Sequence, residues 1–373
     1  MPVSFQRYYS KDGLSSNTIY SIYRDSYGFL WLGTEDGLNR YDGKTYKVYR
    51  YDANHLGLKS NHITALCEDH QGRIWIGTTG GGLSYYDRKL DKIFAYEKTP
   101  DERWLSSAIT SLKKDHNGNI WVSSYGNITI INAKDIHKMP DASYNKVISF
   151  FLERFTRYIF KDKEGQMWIS SIGTVYKISK DFKEIAAYKI PSKTNSTIEI
   201  SSITEDENKR IWAGSSHGLY FLDYKGSSFK AFDSVANSRL SSNKVYALGK
   251  DRKGGVWVGT DNGLDILNTS NFSIQRFRPD ISNIHSLSHK SIRSIYADQF
   301  GIYWVGTYQG GLNKYDTNLS QFGLKGINLL ERRGESTNMI TSFLEYNKNV
   351  LLGVDGGGVY MYDRELDKLT PLN

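Results

Sequence analysis

A single cysteine, Cys67, is the first scarcity in this 373-residue sequence. It excludes an internal disulfide and any thiolate-cluster metal site. Its apolar setting, Ile63-Thr64-Ala65-Leu66-Cys67, points to a small buried hydrophobe. Proline is also rare, 6 residues against 34 glycines, and aromatic residues reach 14%, a balance foreign to disordered, collagen-like or linker-dominated chains. No long uncharged apolar run occurs, so no transmembrane helix is expected within these residues. Lysine and arginine outnumber the acids 48 to 40, a net charge of +8, which favours polyanionic surroundings. The cations are interspersed and form no long basic run, so no nucleic-acid arm and no membrane-binding segment is expected. Residues 1–4 do not start a basic-then-apolar signal peptide. A cytoplasmic protein and a secreted one whose signal has been removed both fit that observation.

What the chain has is a repeat. The phrase Asp-x-x-Gly-x-x-Trp-[Ile/Val/Leu]-[Gly/Ser]-[Thr/Ser], followed by Gly-Leu and often Tyr-Asp, occupies residues 25–34, 69–78, 115–124, 162–171, 251–260 and 298–307. A weaker copy spans 206–215, with Lys209 in place of the glycine. The tryptophans Trp31, Trp75, Trp121, Trp168, Trp212, Trp257 and Trp304 are spaced by 44, 46, 47, 44, 45 and 47 residues. A degenerate eighth copy at 350–358 puts Leu351 one more period along. Each period holds strand-like runs. In the second these are 61–68, 73–78, 83–87 and the alternating 92–98, separated by a turn at 69–72 and a glycine-rich tip at 79–82. Four antiparallel strands repeated at this interval predict a β-propeller blade.

Scaffold physics accounts for the phrase. Aspartate opens a turn by accepting backbone N–H groups ahead of it, and glycine takes the positive-φ position. Tryptophan is a wedge between blades whose indole N–H needs a partner. The Gly-Thr pair lets neighbouring backbones approach. Residues 5–9 resemble an outer strand without inner strands of their own, as expected for a strand that completes the last blade. The reading is therefore all-β: a seven-bladed propeller of four-stranded antiparallel blades over residues 1–324, closed by strand 5–9. Residues 325–373 then form the first blade of a second, incomplete propeller. A single eight-bladed ring is the alternative.

The motif Trp-[Ile/Val/Leu]-Gly-Thr-x-x-Gly-Leu-x-x-Tyr-Asp, clearest at 31–42, 75–87 and 304–316, resembles the two-component regulator propeller repeat. So do the strand starts Leu14-Ser15-Ser16-Asn17, Leu58-Lys59-Ser60-Asn61 and Leu240-Ser241-Ser242-Asn243. Blades three to five depart from it at Ser123-Ser124, Ser170-Ser171 and Gly214-Ser215. The resemblance implies the periplasmic sensor region of a hybrid two-component system, best known from Bacteroidetes. Such a region detects a glycan fragment and controls genes for polysaccharide utilisation. The resemblance further implies a second propeller and downstream sensor modules, with a membrane helix and histidine kinase, as partners in the same receptor. It leaves room for a homodimer through those modules.

Enzymatic readings find less support in the residues. The sialidase Asp-box spaces its turn Asp-x-Gly, one residue shorter than here, and a retaining glycosidase needs converging carboxylates on inner strands. The inner-strand segments are mostly apolar and hydroxyl-bearing, so no catalytic residue is assigned. Of eight histidines only His285 and His289 lie four apart, in a polar loop rather than on a helix. Single carboxylates at the turns are too few for calcium, and the tip at 78–82 lacks the Lys-Ser/Thr of a phosphate loop. Neither metal nor cofactor is expected. One propeller face carries the strand-two to strand-three tips and the loops between blades. Large polar or aromatic residues there stand out from scaffold: Glu35, Tyr125, His217, Asp261, Tyr308 and Gln309 at tips, and Arg103, Trp104, Arg157, Arg239, His289 and Lys290 on connecting loops. Aromatic faces stack on sugars and arginine pairs with acidic ones, so these residues form the candidate face for a neutral or acidic oligosaccharide. A protein-docking scaffold and a propeller lyase or glycosidase are the alternatives.

Overall fold

The computed structural model describes residues 4–53, 57–96, 107–132, 134–136, 144–151, 154–192, 197–234, 239–318, 340–355, 357–364 and 368–372. Two compact units are present, Pro2–Leu319 and Ser320–Asn373. The protein is an all-β propeller fold in which antiparallel sheets follow the sequence period. Among the described residues, no helix is long and apolar enough to cross a membrane.

Seven sheets make up Pro2–Leu319, numbered here by their inner strands: Ile19–Arg24, Ile63–Glu68, Ile109–Lys114, Thr156–Lys161, Ile200–Glu205, Val245–Lys250 and Ile292–Ala297. Each inner strand contacts those of the sheets before and after it, and the seventh contacts the first, so the neighbours form a closed cycle. In sheet 7 the outermost strand is Gln6–Tyr8, which pairs antiparallel with Leu312–Asp316 in the register Gln6 to Lys314 and Tyr8 to Leu312. Phe5, 1% exposed, anchors that strand against Phe277 and Tyr315. The second strand of each sheet is covered on both faces, which is why it reads as an unbroken apolar run such as Leu30-Trp31-Leu32.

Local chemistry builds each turn. Asp162 Oδ1 accepts the N–H groups of Glu164 and Gln166 at 3.0 and 2.8 Å, while its Oδ2 accepts Trp168 Nε1–H at 2.8 Å. The glycine of the phrase sits at positive φ, 93° at Gly28. Where lysine replaces it, Lys209 adopts φ 60° in the same place. The glycine before the threonine is demanded by the next sheet: a Cβ on Gly77 would lie 2.6 Å from Ile109 Cγ2. Serines in that position substitute a hydrogen bond for the close approach. Ser170 Oγ donates to the Ile200 carbonyl at 3.0 Å, and Ser123 Oγ lies 2.9 Å from Thr156 Oγ1.

Sheet 3 departs from four strands per period. Its described strands number three, Ile109–Lys114, Ile120–Ser124 and Asn127–Ile131. A short helix, Asn145–Phe151, follows. Tyr144, Val147 and Phe151 recur at helical spacing and pack on Trp121, Ile128 and Ile130, covering the apolar face there.

In Ser320–Asn373 four strands, Ile340–Tyr346, Asn349–Val354, Gly358–Asp363 and Lys368–Leu372, form one antiparallel sheet in sequence order. Its buried core is small, Leu352, Val354 and Tyr360, and its first strand exposes Phe343, Leu344 and Tyr346.

Candidate functional site

The seven inner strands enclose a channel of about 550 Å³. Strand pairing orients it. The first residue of each inner strand lies opposite the Gly-Thr end of strand two, so one mouth faces the tips and the other faces the aspartate turns.

At the tip end, the second residue of the inner strand lines the mouth in six sheets, as Tyr20, Thr64, Thr110, Ser201, Tyr246 and Arg293, while the equivalent Arg157 of sheet 4 turns to Glu199. Arg293 carries its guanidinium 3.9 Å from the centre of the Tyr246 ring and 5.1 Å from that of Tyr308. Such contacts are worth about 0.5–2 kcal/mol each, more when desolvated. Its Nε is buried and, among the described residues, has no hydrogen-bond partner. A buried donor left unmade costs about 1–3 kcal/mol, so this atom is set to gain from an incoming acceptor. Beside it, Asp261 Oδ1 accepts the hydroxyls of Ser291 (3.1 Å) and Tyr246 (3.3 Å), and His289 Nδ1 accepts the Ser291 N–H at 3.1 Å. On the neighbouring sheet 1, Tyr20 stacks on His62 with ring centres 4.6 Å apart and planes 15° from parallel. Burial raises the Tyr20 phenol, the negative field of Glu35 adds to that, and Arg293 opposes it. Burial lowers the His62 imidazole, with Glu35 opposing. His289 is lowered by burial first and by Lys290 second. Both imidazoles are thereby held toward the neutral form, able to accept as well as donate.

Several expected residues converge here and others do not. Asp261, His289 and Tyr308 surround Arg293, and Glu35 lies by Tyr20 and His62. Gln309 is at the sheet 7 tip with φ 62° and donates its N–H to Thr18 Oγ1 at 3.2 Å. Lys290 contributes its carbonyl to the Gly263 N–H at 2.6 Å. Tyr125 packs on Phe155 with centres 5.0 Å apart, His217 shares a hydrogen bond with Ser216, and Arg239 offers its carbonyl to Arg276. Arg157, expected on a connecting loop, is the second residue of an inner strand because that strand begins at Thr156. It pairs with Glu199. Arg103 and Trp104 lie outside the described residues. Sequence reasoning missed Tyr20, His62, Tyr246 and Arg293. Aligning the periods on their tryptophans would have exposed the first, third and fourth, since Tyr20, Tyr246 and Arg293 fall where other periods carry threonine or serine.

At the turn end, the last residues of the inner strands are charged in six sheets: Arg24, Glu68, Lys114, Lys161, Glu205 and Lys250. Ala297 ends the seventh. Most of the charged ones reach back to the turn of the preceding sheet. Arg24 bonds Asp298 at 2.6 Å, Glu68 accepts from Ser26 N–H at 2.9 Å, Glu205 from Lys163 N–H at 2.9 Å, and Lys250 pairs with Glu207 at 2.7 Å.

The two-component regulator propeller family matches residues 13–36, 57–80, 104–126, 239–262 and 286–309. A curated protein named histidine kinase P4, from Formosa agariphila, is 48% identical over 46 residues, which are 12% of this chain and 3% of that protein. Among solved structures, one described as the extracellular domain of a hybrid two-component system of B. thetaiotaomicron aligns over 100% of this chain and 49% of its own, with TM-score 0.71 and 24% identity. The chain thus spans about half the length of that structure. An inactive variant of virginiamycin B lyase from Staphylococcus aureus, with quinupristin, aligns over 84% of this chain and 99% of its own, with TM-score 0.62 and 14% identity. At these identities the structural likenesses establish the propeller fold.

Proposed function

We propose that this chain, which carries two-component regulator propeller repeats, is the ligand-reading propeller of a hybrid two-component receptor and works outside the cytoplasm. Its ligand is a glycan fragment held at the tip end of the channel. The observation that carries the reading is Arg293, flanked by the rings of Tyr246 and Tyr308 and holding a buried Nε without a partner among the described residues. Sugars combine apolar ring faces with dense hydroxyl acceptors. A mouth with stacked aromatics beside an unsatisfied guanidinium donor matches both features. Binding at this mouth would reach the inner strands of sheets 1, 6 and 7 at once, a rigid platform from which orientation can be passed to neighbouring modules of the same receptor. Residues from 325 onward open the second propeller in this reading.

Calorimetric titration with a panel of neutral and uronic-acid oligosaccharides tests it. Saturable binding without product formation, weakened at least tenfold by Arg293→Ala, is expected. Turnover of any panel member would instead make the chain a glycan-cleaving enzyme, and binding indifferent to Arg293→Ala would move the site elsewhere.

A further inference from the structure

The turn end of the channel holds a second feature that the glycan reading does not use. The backward reach of the last inner-strand residue satisfies Arg24, Glu68, Glu205 and Lys250. It fails on sheets 3 and 4. Lys114 and Lys161 stand in the same position, and among the described residues neither ammonium has an ion-pair or hydrogen-bond partner. The turns behind them differ from the one that serves Lys250. Its partner Glu207 follows the turn aspartate directly, and in the turns behind Lys114 and Lys161 that position is His70 and His116, which bring no carboxylate.

A third cation joins them from one residue deeper in the channel. Lys113 places Nζ 6.0 Å from the centre of the Phe160 ring, again with no carboxylate partner among the described residues. Burial pushes this ammonium below the ordinary lysine range. Lys161 acts in the same direction and the Cys67 thiol opposes it. Lys113 and Lys114 on sheet 3 and Lys161 on the inner strand packed beside it in sheet 4 all line the channel, so the three cations share one sector of it. The two carboxylates of this ring are engaged elsewhere, Glu68 with Ser26 and Arg88 and Glu205 with the Lys163 N–H.

We propose that Lys113, Lys114 and Lys161 form a binding site for a doubly charged tetrahedral oxyanion, a phosphate or sulfate group, at the turn-side mouth of the channel. Two formal negative charges offset most of three clustered positive ones, and ammonium groups on three flexible stems adapt to a tetrahedral set of oxygens. Phe160 and Tyr23 wall the same level with apolar surface, which lowers the local dielectric and strengthens each charge contact. The site is independent of the glycan reading, since it lies at the opposite mouth and shares no residue with it.

Calorimetry on the intact chain with sodium phosphate, sodium sulfate and glucose 6-phosphate, against sodium chloride at matched ionic strength, decides the matter. Saturable binding of an oxyanion, absent with chloride, is expected, and Lys113→Met and Lys161→Met should each weaken it at least tenfold. Tighter binding of glucose 6-phosphate than of phosphate assigns an esterified group, and the reverse order assigns the free ion. Thermal melts guard against misfolding: without oxyanion, Lys113→Met should melt at or above the unmodified protein, because it removes a half-buried charge that has no carboxylate partner among the described residues. Arg293→Ala should leave oxyanion affinity unchanged. Equal response to chloride, binding that survives the Lys113→Met, Lys161→Met double change, or loss of oxyanion binding in Arg293→Ala would overturn the proposal.

Discussion

In sheets 1 to 5 the turn aspartate divides its oxygens in one way, one to the turn's own N–H groups and the other to the tryptophan indole at 2.8–3.0 Å. In sheets 6 and 7 the same phrase gives a different result. Trp257 and Trp304 have buried indole N–H groups with no partner among the described residues. At Asp298 the second oxygen goes to Arg24 of the first sheet at 2.6 Å, while the first still holds Phe300 and Ile302 N–H. At Asp251 the intruder is Tyr303, whose hydroxyl donates to Oδ1 at 2.6 Å and accepts the Arg252 N–H at 2.9 Å. Trp257 then lies flat on the Tyr303 ring, with centres 4.2 Å apart and planes within 4°. The difference teaches that the phrase supplies an acceptor and that the placement of neighbouring donors decides how it is used. Arg73 and Trp75 share Oδ2 of Asp69, and Arg88 and Trp31 share Oδ2 of Asp25, whereas at Asp298 Arg24 bonds that oxygen and the indole does not.

The largest expected effect breaks that comparison at the aspartate. Asp206 is fully buried and holds the N–H groups of Asn208 and Arg210 and the indole of Trp212. Asp206→Ala should destabilise by about 3–5 kcal/mol, as when a buried charged partner is lost. Asp251→Ala in the next sheet removes one bond to a tyrosine and should cost about 1–2 kcal/mol. Urea unfolding midpoints compare the two, and equal losses would show that the aspartates do the same work. Next in size, Trp168→Phe leaves Asp162 Oδ2 without its donor, whereas Trp257→Phe deletes an N–H that has no acceptor among the described residues. The first should cost about 1–3 kcal/mol more than the second, measured in the same way. Smallest is Lys209→Gly, which relieves a left-handed lysine but removes an exposed pair with Glu164. The terms oppose, and the strain of a left-handed non-glycine residue outweighs a solvent-screened surface pair. A small rise in melting temperature is expected.

Much of the scaffold was readable because its contacts are short in sequence. An aspartate bonding N–H groups two and four residues ahead, and an indole six ahead, leaves a written trace in every period. Sheet 3 was less readable: a helix carrying Val147 and Phe151, with Tyr144 just before it, covers its apolar face, and the seven residues of Asn145–Phe151 are too few for helical periodicity to stand out. The candidate site was half legible. Tips could be found from the glycine pattern, which gave Asp261 and Tyr308, and the loops between blades gave His289. Arg293 and Tyr246 hid inside strands, where a polar residue looks like ordinary alternation until the ring brings equivalent positions to one mouth.

By itself the sequence determined the period, the turns, the wedge tryptophans and the all-β class, since each rests on groups a few residues apart whose geometry the backbone dictates. Only the tertiary structure decided which donors reach each aspartate, which charges at the turn end are left without partners, and which side chains meet around the channel. Those outcomes depend on residues as far apart as Arg24 and Asp298, 274 positions along the chain. Their encounter is a property of ring closure, which no local pattern encodes.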